Sequence, residues 1–218
     1  MTTQVPTLRP RRGELQREGV TLLAGIVALM WLVEVINTLD SNRLYTDGIW
    51  PRNLDHLWGI FTAPFLHASF AHLISNTIPL LFMGAIVALL GATRLAAVTL
   101  TVIVLGGLGT WLIAPAGVDT IGASGLVFGY ATYLLARGFF NRSLLELVTG
   151  LIVAIVWGGA LLASLVPQPG ISWQGHLCGG IAGVIAAWVL SRRHDAPPAC
   201  TPIGASSFAR ATSRSTPS

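Results

Sequence analysis

Few side chains in this chain could do chemistry in an apolar surrounding, and they fall in three places. The first is Gly122-Ala123-Ser124-Gly125, where a serine hydroxyl stands between glycines near the head of the apolar run from Ile121 to Arg137. The second is His72 with Asn76, four residues apart and therefore on one face of a helix. The third is His176, within Ser172-Trp173-Gln174-Gly175-His176. A hydroxyl and an imidazole within hydrogen-bond reach make a nucleophile and its general base. A histidine N–H and a carboxamide N–H aimed at one point make donors for a developing oxyanion, and the backbone N–H groups and positive dipole at a helix start add to them. The chemistry these types and spacings offer is acyl transfer by a serine.

Each residue also has a plainer reading. Gly125 and Gly129 form a small-xxx-small pair, and Gly175, Gly179 and Gly183 repeat it on another segment, so both runs can serve close helix packing. His72, or His67 before it, can sit at the lipid–water boundary, and Asn76 can act as interhelical glue. His176 is harder to set aside, because ionisable groups inside membrane spans are costly and their default reading is functional. If the glycine face of Gly125 and Gly129 meets that of Gly179 and Gly183, Ser124 and His176 come within reach of each other. A metal is the alternative for paired histidines. No His-x-x-x-His or His–Glu pair lies on an apolar segment, and His67 and His72 are five apart, a poor fit to one face. Neither a metal nor another cofactor is expected.

The elements that must position these groups are membrane helices. The chain has 218 residues, 53% hydrophobic and 10% charged, where a soluble domain carries about 25% charge. All 13 basic residues are arginine, and the net charge of +4 is too small and too dispersed for nucleic acid. Apolar segments at 20–39, 70–91, 95–114, 121–137, 144–165 and 173–190 predict six spans. The first is read as an anchor, with Glu34 near its far end able to reach the interface and given no role. Residues 40–69 mix charges with Trp50, Trp58, Phe61 and Phe65, which predicts a loop lying in the membrane interface. Six spans put both termini on one side. That side and its connections carry Arg9, Arg11, Arg12, Arg17, Arg94, Arg137, Arg142, Arg192 and Arg193, against Arg43 and Arg52 on the other, so both termini are expected inside. His72, Asn76, Ser124 and His176 then share one depth, near the outer face. A solute transporter would place polar groups through the bilayer, and no repeat suggests one. The division expected is a cytoplasmic segment 1–19, a six-helix membrane domain 20–191 and a disordered cytoplasmic tail 192–218. Cys178 and Cys200 read as free thiols.

With these residues in place, the chain resembles the rhomboid family of intramembrane serine proteases. The carriers are the stretch from Phe65 through His67 and His72 to Asn76, then Gly122-Ala123-Ser124-Gly125, then Gly175-His176-Leu177-Cys178-Gly179 with Gly183. The resemblance implies a six-helix bundle and cleavage of single-pass or other membrane proteins near the outer face. It implies Ser124 as nucleophile and His176 as general base, with His72, Asn76 and the Ser124 backbone N–H as oxyanion hole. It also implies substrate entry beside Trp157-Gly158-Gly159, and an integral protein of a bacterial plasma membrane in contact with lipid. The alternative is a rhomboid-like pseudoprotease that binds client helices without cutting. The family often has a Trp-Arg pair in the first loop, and here Trp58 is followed by Gly59, so that arginine is absent.

Overall fold

The structure is a computed structural model, and it describes residues 11–192. The expectations for residues 1–10 and for the tail beyond 192, Cys200 among them, lie outside the described residues. The described residues form six long helices: α1 (Arg12–Leu39), α2 (Phe70–Ala88), α3 (Ala92–Ile113), α4 (Ser124–Phe140), α5 (Leu144–Ala163) and α6 (Trp173–Arg192). Among the described residues there is no β-sheet, only isolated bridges at Ile49–Thr120 and Gln168–Ile171. α1, α2, α3, α5 and α6 are long and apolar enough to cross a membrane, while α4, with 17 residues, is shorter.

Helix boundaries depart from the apolar runs for local reasons. α1 starts at Arg12, ahead of the run at 20, because Glu14 folds back to accept the Arg11 N–H at 2.9 Å and closes the first turn. The run from Ile121 becomes helical only at Ser124, because Gly122 takes φ +114°, a conformation that suits glycine and no helix. α2 begins at Phe70 because the Ser69 Oγ accepts the His72 N–H at 3.1 Å.

The bundle is held by close approaches at glycine. Gly19 of α1 lies against the Ala88 carbonyl and Gly84 of α2 against Leu23, so these helices run antiparallel. α3 contains a π turn, Val102–Gly106, that seats Val102 on Gly129 of α4 and brings Gly106 against the Gly179 backbone of α6. Gly179 and Gly183 lie directly on the carbonyls of Gly125 and Gly129, with no room for a side chain at either position. Tyr130 and Tyr133 fill the centre beneath this seam, the Tyr130 hydroxyl 2.6 Å from the Thr99 Oγ1.

α5 is held differently. It meets α4 tightly at one end, where Gly138 touches Leu147 and Gly150 touches Leu134 and Leu135. Toward its other end Gly158 and Gly159 have open space, and only Gly150 and Val153 of the helix are buried. The two helices therefore splay toward the end that carries Ser124 and His176.

The first loop, between α1 and α2, is a chain of short turns with one single-turn helix, Gly59–Thr62. Its anchor is Arg52, whose guanidinium donates to the Leu112 and Ala114 carbonyls at 2.9 and 2.8 Å and whose backbone N–H reaches the Trp111 carbonyl at 3.1 Å. Gly59, where an arginine was looked for, sits on the Gly48 carbonyl and leaves no space for any side chain. Arg52 thus ties the loop to the end of α3 by a different route. Leu54, Trp58 and Phe61 remain exposed along the loop.

Candidate active site

Ser124 is the first residue of α4 and follows the left-handed Gly122. The N–H of Gly122 donates to the Ala63 carbonyl at 2.8 Å, and that of Ala123 to His67 Nε2 at 3.3 Å. The next N–H, of Ser124, lies in the first helical turn, where no intrahelical acceptor exists.

His176 comes from the first turn of α6, and the glycine seam sets its distance. Its Nε2 is 2.9 Å from Ser124 Oγ. Its Nδ1 is 2.9 Å from the carbonyl oxygen of Ser164, in the last turn of α5. A carbonyl only accepts, so Nδ1 carries the proton and Nε2 presents its lone pair to the serine hydroxyl. The imidazole lies flat on Phe128, with ring centroids 4.5 Å apart and planes 9° from parallel. A hydroxyl, an imidazole in the accepting tautomer and a carbonyl that orients it are therefore together, the arrangement that nucleophilic catalysis requires.

His72 and Asn76 approach Ser124 from the other side. A Cβ on Gly122 would stand 2.9 Å from His72 Nε2, so a glycine is needed there to admit the imidazole, and 3.6 Å from Asn76 Nδ2, an ordinary contact. His72 Nδ1 accepts the Ala68 N–H at 3.3 Å, which leaves Nε2 as the N–H of the neutral ring. Asn76 Nδ2 is buried without a hydrogen-bond partner. These are two donors at one place, beside the Gly122 turn that leads into Ser124.

Two cavities meet the serine. One of about 460 Å³ lies between α2, α4 and α5, with Asn76, Pro79, Trp157, Ser164 and His176 in its wall, and fills the gap left by the splay of α5. The other, about 50 Å³, lies beyond Ser124 between the first loop, α3 and the glycine seam. Among the described residues no cluster of three or more His, Cys, Asp or Glu could hold a metal.

Several participants escaped the sequence. Ser164 acts through its carbonyl, which every residue has, so no residue type could signal it. Phe128 is one turn beyond Ser124 and so on its face, a signal that was there to use. The sequence lets His67 and Glu34 reach the interface. Both are fully buried, at 0% and 1% exposure, because α1 and the segment before α2 close over them. Burial, with the nearby His72 second, pushes the His67 imidazole down to about 4, so it is neutral and its Nε2 can accept from Ala123.

Comparison with known proteins adds the family. The family model described as the Rhomboid domain matches residues 54–193. An uncharacterized protein of Mycobacterium tuberculosis is 46% identical over 201 residues, covering 85% of this chain and 84% of its own length. A Mycobacterium leprae protein, also uncharacterized, is 45% identical over 181 residues, 79% of this chain and 71% of its own. The rhomboid protease GluP of Bacillus subtilis is 30% identical over 153 residues, 69% of this chain and 28% of its own.

Proposed function

The chain belongs to the rhomboid family, and from that premise we propose that it is an intramembrane serine endopeptidase that cuts membrane-protein segments with a Ser124–His176 dyad. The observation that carries the reading is the 2.9 Å contact of Ser124 Oγ with His176 Nε2 while Nδ1 is held on the Ser164 carbonyl. Ser124 Oγ attacks a backbone carbonyl carbon of the substrate, and its proton passes to His176 Nε2. The negative charge that develops on the carbonyl oxygen faces the Ser124 N–H, His72 Nε2–H and Asn76 Nδ2–H. As the C–N bond breaks, His176 returns the proton to the leaving amine. A water, deprotonated by the same Nε2, then hydrolyses the acyl ester and restores Ser124.

In this reading α4 crosses the membrane as well and brings the spans to six, both termini face the cytoplasm, and the site lies just below the outer face. The short α4 fits that placement, since its first residue starts beneath the surface. The substrate segment enters from the lipid through the gap between α2 and α5, past Trp157. The protein resides in a bacterial plasma membrane, and its substrates are other membrane proteins.

The test is cleavage in liposomes of a single-pass reporter whose span carries small and helix-breaking residues near its outer end. Wild type is expected to cut once, inside that stretch, with the products read by mass spectrometry. Ser124→Ala and His176→Ala are each expected to abolish the cut in folded protein. Full activity in either variant overturns the dyad, and binding of the reporter without any cut by wild type favours the pseudoprotease.

A further inference from the structure

The mechanism leaves one buried acid unused. Glu34 is 1% exposed near the end of α1, and no cation accompanies it: the ion pairs among the described residues are Arg43–Asp40 and Arg137–Glu146. A carboxylate in this position costs stability that a leucine of similar size would not, so packing does not account for it. Its surroundings do. The carboxylate lies beside the Asn37 side chain and the backbone N–H of His67. Asn37 is itself fixed, its Oδ1 accepting the Leu44 N–H at 3.0 Å and its carbonyl the Asn42 N–H at 2.7 Å. Tyr45 packs on the same two residues and donates its hydroxyl to the Ala68 carbonyl at 2.8 Å. Glu34 Oε2, Asn37 Nδ2 and His67 Nδ1 are all buried without a hydrogen-bond partner.

The other edge of the cluster is the active site. His67 Nε2 accepts the N–H of Ala123, the residue before Ser124. With Gly122 tied to Ala63 and Ala123 tied to His67, the Ser124 N–H is the first amide of the turn left to face an oxyanion. We propose that Glu34, supported by Asn37, is a positioning residue for the oxyanion side of the site: its carboxylate fixes the His67 backbone, and the His67 ring fixes the Ala123 amide, which holds the Ser124 N–H opposite His72 and Asn76. This inference rests on the serine-protease reading and extends it to α1, a helix that contributes no group to the chemistry.

The test compares Glu34→Gln, which keeps one acceptor oxygen, with Glu34→Leu, which keeps the volume and removes it, in full-length protein reconstituted with the single-pass reporter. Glu34→Leu is expected to lower kcat about 10- to 100-fold with KM within about twofold, since small misplacement of a catalytic group costs up to about 10². Glu34→Gln is expected to stay within about threefold of wild type. The Ala123 amide resonance, read in protein labelled at the Gly-Ala pairs, is expected to move in Glu34→Leu and His67→Leu and to hold still in Glu34→Gln. If Glu34→Leu does not fold, Asn37→Ser takes its place, with the same direction in the Ala123 amide and a loss of about threefold. Wild-type kcat with an unmoved Ala123 amide in a protein that still needs Ser124 overturns the positioning role alone. Cleavage that survives Ser124→Ala instead overturns the reading beneath it.

Discussion

On one side of Ser124 the partner arrives by helix packing. Gly179 and Gly183 rest on the carbonyls of Gly125 and Gly129, α4 and α6 are pressed together, and His176 is carried to 2.9 Å from the hydroxyl. On the other side the partners arrive by hydrogen bonds. His72 is set by Ser69 and Ala68, the Gly122–Ala123 turn by Ala63 and His67, and behind His67 stands a buried polar cluster on α1. The first device needs only small residues at four-residue steps. The second needs particular polar atoms from several segments. In the proposed reading the nucleophile and base are thus built into the closely packed part of the bundle, and the charge-stabilising side into a part that many groups must agree to hold.

If the contrast is right, the packing side should fail abruptly. Gly179→Leu has no space at the Gly125 carbonyl, so the seam must open and carry His176 away. We expect loss of labelling by a serine-directed probe and a drop of about 1–3 kcal/mol or more in thermal unfolding. Retained labelling would show that the seam does not set the dyad. The hydrogen-bonded side should fail by degrees. Asn76→Ala removes one donor and is expected to cost about 10²–10³ in kcat with KM little changed. An unchanged kcat would remove Asn76 from the oxyanion hole.

How much of this the sequence shows follows the same division. The glycine steps in 125–129 and 175–183 are regular, and they point to the contact between α4 and α6. His72 and Asn76 share a helix face by spacing alone. The polar cluster has no such period: Glu34, Asn37, Tyr45 and His67 lie on three segments whose meeting depends on the path of the first loop. Glu34 at the end of an apolar helix therefore read as an interfacial residue, and the structure buries it. The missing loop arginine was legible as an absence, but its replacement by Arg52 was not, because that tie depends on where α3 ends.

A smaller effect separates the two sides by pH. His67 has a folded pKa of about 4, below its ordinary 6.5, so between those values the unfolded chain binds more protons. Stability should fall as pH drops from 6.5 toward 4, by at most about 1.4 kcal/mol per unit, and level off below. The His72 ring lies 5.1 Å from the His67 ring, Glu34 lies by the His67 backbone, and Tyr45 stands beside Glu34. His67→Gln can still accept from Ala123 without titrating, and unfolding measured across this window should then be flatter. An identical slope would place the acid sensitivity elsewhere. Smallest of all, Arg52→Ala should cost about 1 kcal/mol, because its bond to Leu112 is exposed and its bond to Ala114 only partly buried. It should loosen the first loop to proteolysis while probe labelling persists. Loss of labelling would make the loop part of the site.

The most direct measurement is labelling of the purified full-length protein in detergent by a fluorophosphonate probe, wild type beside Ser124→Ala and His176→Ala. A single adduct at Ser124 is expected in wild type, and none in either variant although both remain folded. Labelling that survives His176→Ala, or a folded wild type that does not label at all, would contradict it.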